Sequence, residues 1–164
     1  MKRFFKTRFI FIICLTIGLG FAFSSVVQAQ EEGCGPGFWK QEQHLDFWVV
    51  EDGVTPDDSF NSVFGVEIDV TFKEKGTKGK PQLLNDPTLI QALQAKGGKV
   101  NALARQAVAA LLNAQSPDVE YPMEVGMIIS LVNEALTTGE NIEELKDMLE
   151  LANEMGCPLN EDEI

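Results

Sequence analysis

The stretch Val100–Ala114 constrains the fold most, because it is the longest run that fits a single buried helix. At 100° per residue, its apolar side chains spread over about 200° of the helix circumference. These side chains are Val100, Leu103, Ala104, Ala107, Val108, Ala110, Leu111, Leu112 and Ala114. The remaining arc carries Asn101, Arg105, Gln106 and Asn113. A helix that is apolar over more than half of its surface needs neighbours on several sides, so we expect it at the centre of the fold.

Three further stretches have helical periodicity and supply those neighbours. They cover Thr88–Ala95, the segment between Pro122 and Gly139, and Ile142–Met155. Asp86 and Pro87 offer an N-cap residue and a first-turn proline for the first of them. Gly156 and Pro158 end the last one. The sequence therefore predicts a mainly α fold, a small helical bundle around residues 100–114.

The first half of the domain is less regular. Phe38–Trp48 fits a short helix rich in aromatic side chains, and Phe60–Phe64 fits a single helical turn. Strict alternation over Val66–Phe72 predicts a half-buried strand. A lysine- and glycine-rich turn follows, and a very short second strand fits around Gln82–Leu84. We expect a hairpin-like excursion near residues 66–84.

The N-terminus has the pattern of a signal peptide over residues 1–29. A basic start precedes the apolar run Phe9–Phe23, and Val27 and Ala29 are small residues at the −3 and −1 positions before Gln30. An uncleaved anchor is the alternative, but the run is shorter than the ~20 residues that a membrane span needs. We expect a secreted, periplasmic or otherwise extracytoplasmic protein with no stable span after cleavage. Residues 30–159 would form one domain, followed by an acidic tail over 160–164.

Removal of that leader makes the chain strongly acidic. The whole sequence has 13 basic and 25 acidic residues, and the leader contains four of the basic ones and none of the acidic ones. The mature part therefore has 9 basic against 25 acidic residues, a net charge of −16. Nucleic acid is excluded as a partner, because its binding depends on lysine and arginine neutralising phosphates. Anionic membranes are disfavoured for the same reason, whereas cations and basic partners are allowed.

Two cysteines remain after cleavage, Cys34 and Cys157, close to the two ends of the domain. In an oxidising compartment, a single pair of this kind predicts a disulfide. Two free thiols or an intermolecular bond are the alternatives. A two-cysteine metal site is disfavoured, since neither cysteine has a Cys-x-x-Cys or histidine partner at ligand spacing.

Three motifs in order resemble a family of small exported bacterial and archaeal modules. They are CGPGFWK from Cys34, LARQAVAALLNA from Leu103 and NEMGCPL from Asn153. Members of that family share a CxPGxWK start, a buried R-H-A-V-A-A-L-L-N-A helix and a G-C-P-L end. Gln106 stands where the family often has histidine, and Lys96–Lys99 replaces an all-glycine stretch. The resemblance implies an extracytoplasmic module, often attached to larger surface proteins, and provides no catalytic residues.

Catalytic candidates are few. His44, the only histidine, could pair with Asp46 as an acid and base, although a packed side chain between two tryptophans is the simpler interpretation. A nucleophile motif is missing, and the predicted disulfide consumes both mature cysteines. Zinc chemistry needs more nitrogen or sulfur ligands than this chain offers. We expect no enzyme and no cofactor, with a secreted hydrolase using His44 as an alternative.

Binding candidates are more numerous. Trp39, His44 and Trp48 form a possible sugar- or peptide-binding surface, with core packing as the alternative. Asp52, Asp57 and Asp58 are weak calcium candidates, because their spacing does not match a calcium loop and turns or N-caps explain them. We therefore predict no metal site.

Two features of the central region complete the set of candidates. Lys96–Lys99 precedes a helix, where an anion site is the alternative, but a turn between helices fits it better. Arg105 is predicted to be a structural clamp that pairs with a carboxylate or with helix-end carbonyls, since a lone buried charge is too costly. The sequence as a whole favours a non-catalytic secreted or cell-surface interaction or structural module with an unknown envelope or extracellular partner. A calcium-dependent binding module is the other alternative.

Overall fold

The computed structural model describes residues 31–48, 51, 53–73, 76 and 78–159. Within them the chain forms six α-helices, one 3-10 helix and one two-stranded hairpin. The helices are α1 (Pro36–Trp39), α2 (Phe60–Phe64), α3 (Leu89–Leu93), α4 (Val100–Gln115), α5 (Val125–Thr138) and α6 (Ile142–Asn153). The 3-10 helix covers Glu42–Trp48, between α1 and α2. The predicted signal peptide and acidic tail lie outside the described residues.

Helix α4 is the centre of the fold, as its apolar periodicity predicted. It packs against α6, α3, α5 and α1, and its side chains from Ala107 to Leu111 are fully buried. The predicted polar arc is also largely enclosed. Gln106 and Asn113 are buried, whereas Asn101 and Arg105 are only partly covered. The mainly α class is confirmed.

The hairpin is antiparallel and short. Strand β1 (Asp69–Phe72) pairs with β2 (Gln82–Asn85), with Asp69 opposite Asn85 and Phe72 opposite Gln82. The alternation predicted the side of the strand that is buried, since Ile68 and Val70 lie in the core while Asp69 is exposed. Pairing begins three residues later than predicted, because the backbone N–H of Ile68 donates to the Asn61 side chain instead of to a strand.

The predicted single helix over Phe38–Trp48 is wrong, because two separate pieces occupy that range. Side chains of the 3-10 helix form hydrogen bonds with the last carbonyls of α1. The Trp48 indole donates to the carbonyl of Trp39, and the His44 ring bonds to that of Phe38. These bonds replace the helical bonds that would have continued α1. Helix α1 therefore ends at Trp39.

The start of α3 also differs from the prediction. Thr88, not Asp86, is its N-cap, and it forms a capping box in which the side chains of Thr88 and Gln91 each bond to the other's backbone N–H. Asp86 instead adopts a left-handed conformation, with φ of 56°, and its carboxylate accepts a hydrogen bond from the Ser59 hydroxyl. Two reciprocal bonds at Thr88 outweigh the single cap that Asp86 could have provided.

None of the helices among these residues is long and apolar enough to cross a membrane.

Candidate functional site

The two ends of the domain are joined at one place. Cys34 and Cys157 form the predicted disulfide, with their Cα atoms 4.4 Å apart across 123 residues of sequence. Beside it, the backbone N–H of Gly33 donates to the carbonyl of Gly156 at 2.9 Å. The close approach requires glycine at position 33, because a Cβ there would overlap the carbonyl oxygen of Ala152. We call this region the disulfide end.

Asn113, near the C-terminus of α4, holds Cys34 in place. Its Oδ1 accepts from the backbone N–H of Cys34 at 2.9 Å and from the indole of Trp39 at 3.1 Å. Its Nδ2 donates to the carbonyl of Cys34 at 2.9 Å and to Oδ1 of Asn153 at 3.0 Å. The side chain is fully buried and uses all four of its hydrogen-bonding positions. The Asn113 side chain therefore pairs with the backbone of Cys34 as a neighbouring strand would, from the last turn of a helix.

Asn153, on α6, extends this arrangement to two more elements. Its Nδ2 donates to the backbone and side-chain oxygens of Gln106 at 3.1 and 2.8 Å. Its Oδ1 also accepts from the Tyr121 hydroxyl at 2.9 Å. Burial raises the pKa of Tyr121 above its usual value, so the phenol stays protonated as a donor. Asn113, Asn153, Gln106 and Tyr121 are hereafter the amide network.

The sequence reasoning missed the roles of Asn113, Asn153 and Tyr121. One signal was available: Gln106 and Asn113 are seven residues apart on α4, so they lie on the same side of the helix two turns apart. Two amides at that spacing on a central helix indicate a buried polar network. Among the described residues, every buried side-chain polar atom has a hydrogen-bond partner. The amide network therefore contributes to stability, since amides and a protonated phenol offer neither nucleophile nor base.

The proposed aromatic binding surface is wrong for the three side chains named. Trp39 is fully buried, and Trp48 and His44 are 3% and 8% exposed. The His44 ring stacks on Phe38 with centroids 3.9 Å apart, and its Nδ1 lies 3.0 Å from the carbonyl oxygen of Phe38. The Trp39 indole additionally donates to the carbonyl of Cys34 at 3.1 Å. These rings fill the core next to the disulfide and present no exposed face to a ligand.

The acidic loop shows turn geometry. Asp58 accepts from the backbone N–H of Thr55 at 2.6 Å, which is a turn contact. Asp57 is exposed, and Asp52 lies outside the described residues. No three histidine, cysteine or acidic side chains come together as a metal site in the part of the chain that the structure describes.

Arg105 belongs to a second region, in the first half of α4. Its Nη1 donates to the carbonyls of Ala95, Gly97 and Asn101 at 2.8, 3.0 and 3.2 Å. These bonds fix the turn between α3 and α4 against the helix. Burial lowers the pKa of Arg105, and the charge of Glu150 opposes that shift. The guanidinium is thus held by carbonyl oxygens, without a carboxylate in contact among the described residues.

The same guanidinium lines an open cleft of about 960 Å³, which we call the cationic cleft. Lys40, Lys73 and Lys96 also line it, each from a different segment of the chain. The backbone N–H of Lys96 donates to the carbonyl of Thr71 at 2.7 Å, which joins the α3–α4 turn to the hairpin. Sequence reasoning weighed an anion site at Lys96–Lys99 alone, because it had no means of placing Lys40 and Lys73 beside it.

Comparisons with protein families, with curated proteins and with solved structures found no match. The structure contains two sites of different character. The disulfide end with its amide network is buried and saturated with hydrogen bonds, whereas the cationic cleft is open and positively charged.

Proposed function

We propose that this chain is a non-catalytic, secreted or cell-surface interaction module that works in an oxidising compartment. The observation that carries the proposal is that the single histidine and the two described cysteines serve the fold. His44 is stacked in the core and bonded to a carbonyl, and Cys34 and Cys157 are joined to each other. A general base must reach its substrate, and a nucleophilic cysteine must be free. Neither condition suits these three residues.

The disulfide supports the extracytoplasmic part of the proposal. Such bonds persist in oxidising compartments and are rare in the cytosol. The bond is compatible with the signal-peptide pattern of residues 1–29, which places the same requirement on location. Intact-mass measurement of protein recovered from the producing cells tests both. We expect a mature chain that begins at Gln30 and gains two hydrogens on reduction.

We expect the partner on the surface of the envelope or outside the cell, because the proposal has the chain exported. Nucleic acid does not suit the strongly acidic mature chain. The direct test is binding of the labelled, disulfide-bonded protein to envelopes isolated from the producing cells. We expect binding that saturates and that unlabelled protein displaces, whereas heat-denatured protein does neither. Binding that rises linearly with concentration would contradict an interaction module.

Turnover on a broad panel of hydrolase substrates tests the non-catalytic part. His44→Phe is the informative variant, because it keeps an aromatic ring against Phe38 while removing both ring nitrogens. Activity in the wild type that this folded variant lacks would replace our proposal with a hydrolase. We expect no turnover above background in either protein.

A further inference from the structure

The cationic cleft assembles positive charge from four separate parts of the chain. Lys40 follows α1, Lys73 follows β1, Lys96 follows α3, and Arg105 lies on α4. Among the described residues that line the cleft, Glu42 is the one acidic residue. Three glutamines, Gln41, Gln43 and Gln94, also face the cleft. Cations and amides from four elements thus surround one open space.

This concentration of cations stands out in so acidic a chain. Beyond residue 30 the sequence contains nine basic residues, and four of them line this single cleft. The second half of the domain has the opposite balance, since residues 106–159 contain one lysine and ten acidic residues. Scattered surface charges of a solubilising kind would be distributed more evenly. The cleft is therefore a local positive region on a negative molecule.

The four cations of the cleft also form no ion pairs among the described residues, although acidic side chains are plentiful. Lys146, on α6, is the residue that forms them, with Asp147 and with Glu150. Like charges brought together without partners repel one another, which opposes folding. An anion in the cleft would remove that repulsion. The arrangement is complementary to a negatively charged ligand.

Arg105 is the most ordered of the four. Its Nη1 is fixed by three carbonyls, so the guanidinium loses little freedom when it binds an anion. Burial removes part of its water and lowers its pKa, and a bound anion would favour the charged form, as the charge of Glu150 already does. The lysines approach from more exposed positions and can adjust to the ligand. This combination of one fixed and three adjustable cations suits a site with a defined centre.

The net charge of the molecule limits the ligand to a small one. A long polyanion would extend beyond the cleft and meet the acidic surface, which repels it. A small anion inside the cleft would lie beside the residues that line it, and charges farther away than about 8 Å, the screening length at physiological salt, are largely screened from it. A volume of about 960 Å³ is ample for one or two sugar units. The side chain of Gln43 donates to that of Gln41 at 3.1 Å, and Gln41 donates to the carbonyl of Gly37 at 3.0 Å. Their remaining hydrogen-bonding positions, and those of Gln94, can donate to and accept from hydroxyl groups.

We infer that the cationic cleft is a binding site for a small hydroxylated acid, a sugar that carries a phosphate or a carboxylate group. The inference rests on the proposed function and deepens it, because it gives the interaction module a ligand class and a location. Phosphorylated and carboxylated sugars share the chemistry that the cleft recognises. The experiment has to distinguish these two sources.

Calorimetric titration of the disulfide-bonded protein provides the test, with glucose 6-phosphate, glucuronate, inorganic phosphate and glucose as probes. We expect saturable binding of one or both acidic sugars and none of glucose. The probe that binds more tightly identifies the source as phosphate or carboxylate. Inorganic phosphate should bind more weakly than the better acidic sugar, because it lacks the sugar hydroxyls that would bond to the glutamines. If neither acidic sugar saturates the protein, or if inorganic phosphate binds as tightly as both, the inference is overturned.

A matched pair of triple variants locates the site. Lys40→Gln, Lys73→Gln and Lys96→Gln remove three lysines from the cleft, while Lys78→Gln, Lys80→Gln and Lys99→Gln remove three exposed lysines that do not line it. Both triples change the net charge equally. We expect the first to weaken binding by about tenfold or more, since charge-assisted contacts are lost, and the second to change it less than about twofold. Equal weakening by both would show a diffuse electrostatic effect and contradict the site.

The envelope experiment separates this inference from the proposed function. If the protein binds envelopes saturably and the cleft triple binds them equally well, the interaction module stands and the cleft is not its ligand site. If acidic sugars bind in the cleft and envelope binding is linear, the cleft inference stands and the proposed function fails.

Discussion

The two halves of helix α4 treat polar groups in opposite ways. Asn113 and Arg105 are eight residues apart, about 12 Å along the helix axis. Around Asn113 every hydrogen-bonding position is filled from within the protein, and the region is closed to solvent. Around Arg105 the carbonyls of a turn are satisfied, but four positive charges share a cleft without carboxylate contacts among the described residues.

This difference separates stability from binding. A saturated buried network leaves nothing for a ligand to satisfy, and removing a member deprives its neighbours of a hydrogen bond in the core. The cations of the cleft behave differently. A ligand can neutralise them, and removing their side chains relieves the repulsion between like charges. Substitutions at the disulfide end should therefore alter the free energy of unfolding, and substitutions in the cleft should alter binding. Substitutions in the two regions test whether stability and binding are separated in this way.

The largest effect is expected from opening the disulfide. Replacing both cysteines, Cys34→Ala with Cys157→Ala, removes a link across 123 residues, which the loop-entropy treatment values at about 5 kcal/mol. Urea denaturation of wild type and double variant measures the difference. The wild type in reductant is the matched comparison and should approach the same midpoint. An unchanged midpoint in both would show that the network alone holds the ends together.

Asn113→Leu comes next, with an expected loss of about 3–4 kcal/mol in the free energy of unfolding. The change leaves the backbone N–H of Cys34 without its partner in the core, and it removes one hydrogen bond each from the Cys34 carbonyl, the Trp39 indole and the Asn153 side chain. Gln115→Ala, two residues along the same helix, is the control. It removes one bond to the backbone of Val54 and should cost about 1 kcal/mol. Similar losses for the two variants would contradict a special role for the network.

Arg105→Gln should have an intermediate effect on stability, a loss of about 1–2 kcal/mol. Two carbonyls of the α3–α4 turn and the carbonyl of Asn101 in α4 lose a donor but remain partly accessible to water. Arg105→Lys retains the charge and should recover part of the loss. Thermal unfolding of the three proteins measures this. If glutamine and lysine variants are both as stable as wild type, Arg105 is not a clamp.

Tyr121 gives the fold a dependence on alkaline pH. Its folded-state pKa is raised by burial, so the native state keeps the phenolic proton at pH values where the unfolded state releases it. The stability from this proton is fully present below about pH 10, the unfolded pKa, and declines as pH rises above that value.

The measurement is the free energy of unfolding between pH 8 and 11, in wild type and in Tyr121→Phe. The variant should lose about 1 kcal/mol at pH 8, the value of one hydrogen bond, and show a shallower decline above pH 10. Tyr121 is the only tyrosine, so the absorbance of the phenolate in the native protein reports it directly. Phenolate formation near pH 10 in the folded wild type would refute the buried donor.

The smallest effect on stability is expected from the cleft triple Lys40→Gln, Lys73→Gln and Lys96→Gln. Its unfolding midpoint should equal or slightly exceed that of wild type, because the lost lysines form no ion pairs with the described residues and their like charges repel one another. The control triple Lys78→Gln, Lys80→Gln and Lys99→Gln provides the comparison at equal charge. A marked loss of stability in the cleft triple alone would mean that those lysines stabilise the fold. The contrast between the amide network and the cationic cleft would then be wrong.

Much of this architecture follows from local patterns. Helix α4 was predicted within one residue, because its periodicity and its flanking breakers are properties of adjacent residues. Helix α5 ends at Gly139 and α2 at Gly65, both in left-handed conformations that glycine favours. The disulfide was predictable from the number of cysteines and the expected compartment.

The rest depends on contacts between residues far apart in sequence. Asn113 meets Cys34 across 79 residues and Asn153 across 40, and no local signal states that these three converge. The aromatic side chains of Trp39 and Trp48 fit a binding surface as well as a core until the position of α4 is known. Lys40 and Lys73 join Lys96 and Arg105 only because α1 and the hairpin both pack against α4. A charge cluster assembled from four elements has no pattern in the sequence.

The most direct test of the contrast between the amide network and the cationic cleft is an amide-resolved NMR titration of the disulfide-bonded protein with the tighter-binding acidic sugar. The account predicts saturable shifts at Lys40, Lys73, Lys96 and Gly97 and at the side chain of Arg105. The side-chain amides of Asn113 and Asn153 should stay unmoved throughout the same titration. Shifts centred on Asn113 and Cys34, or spread evenly over the molecule, would contradict it.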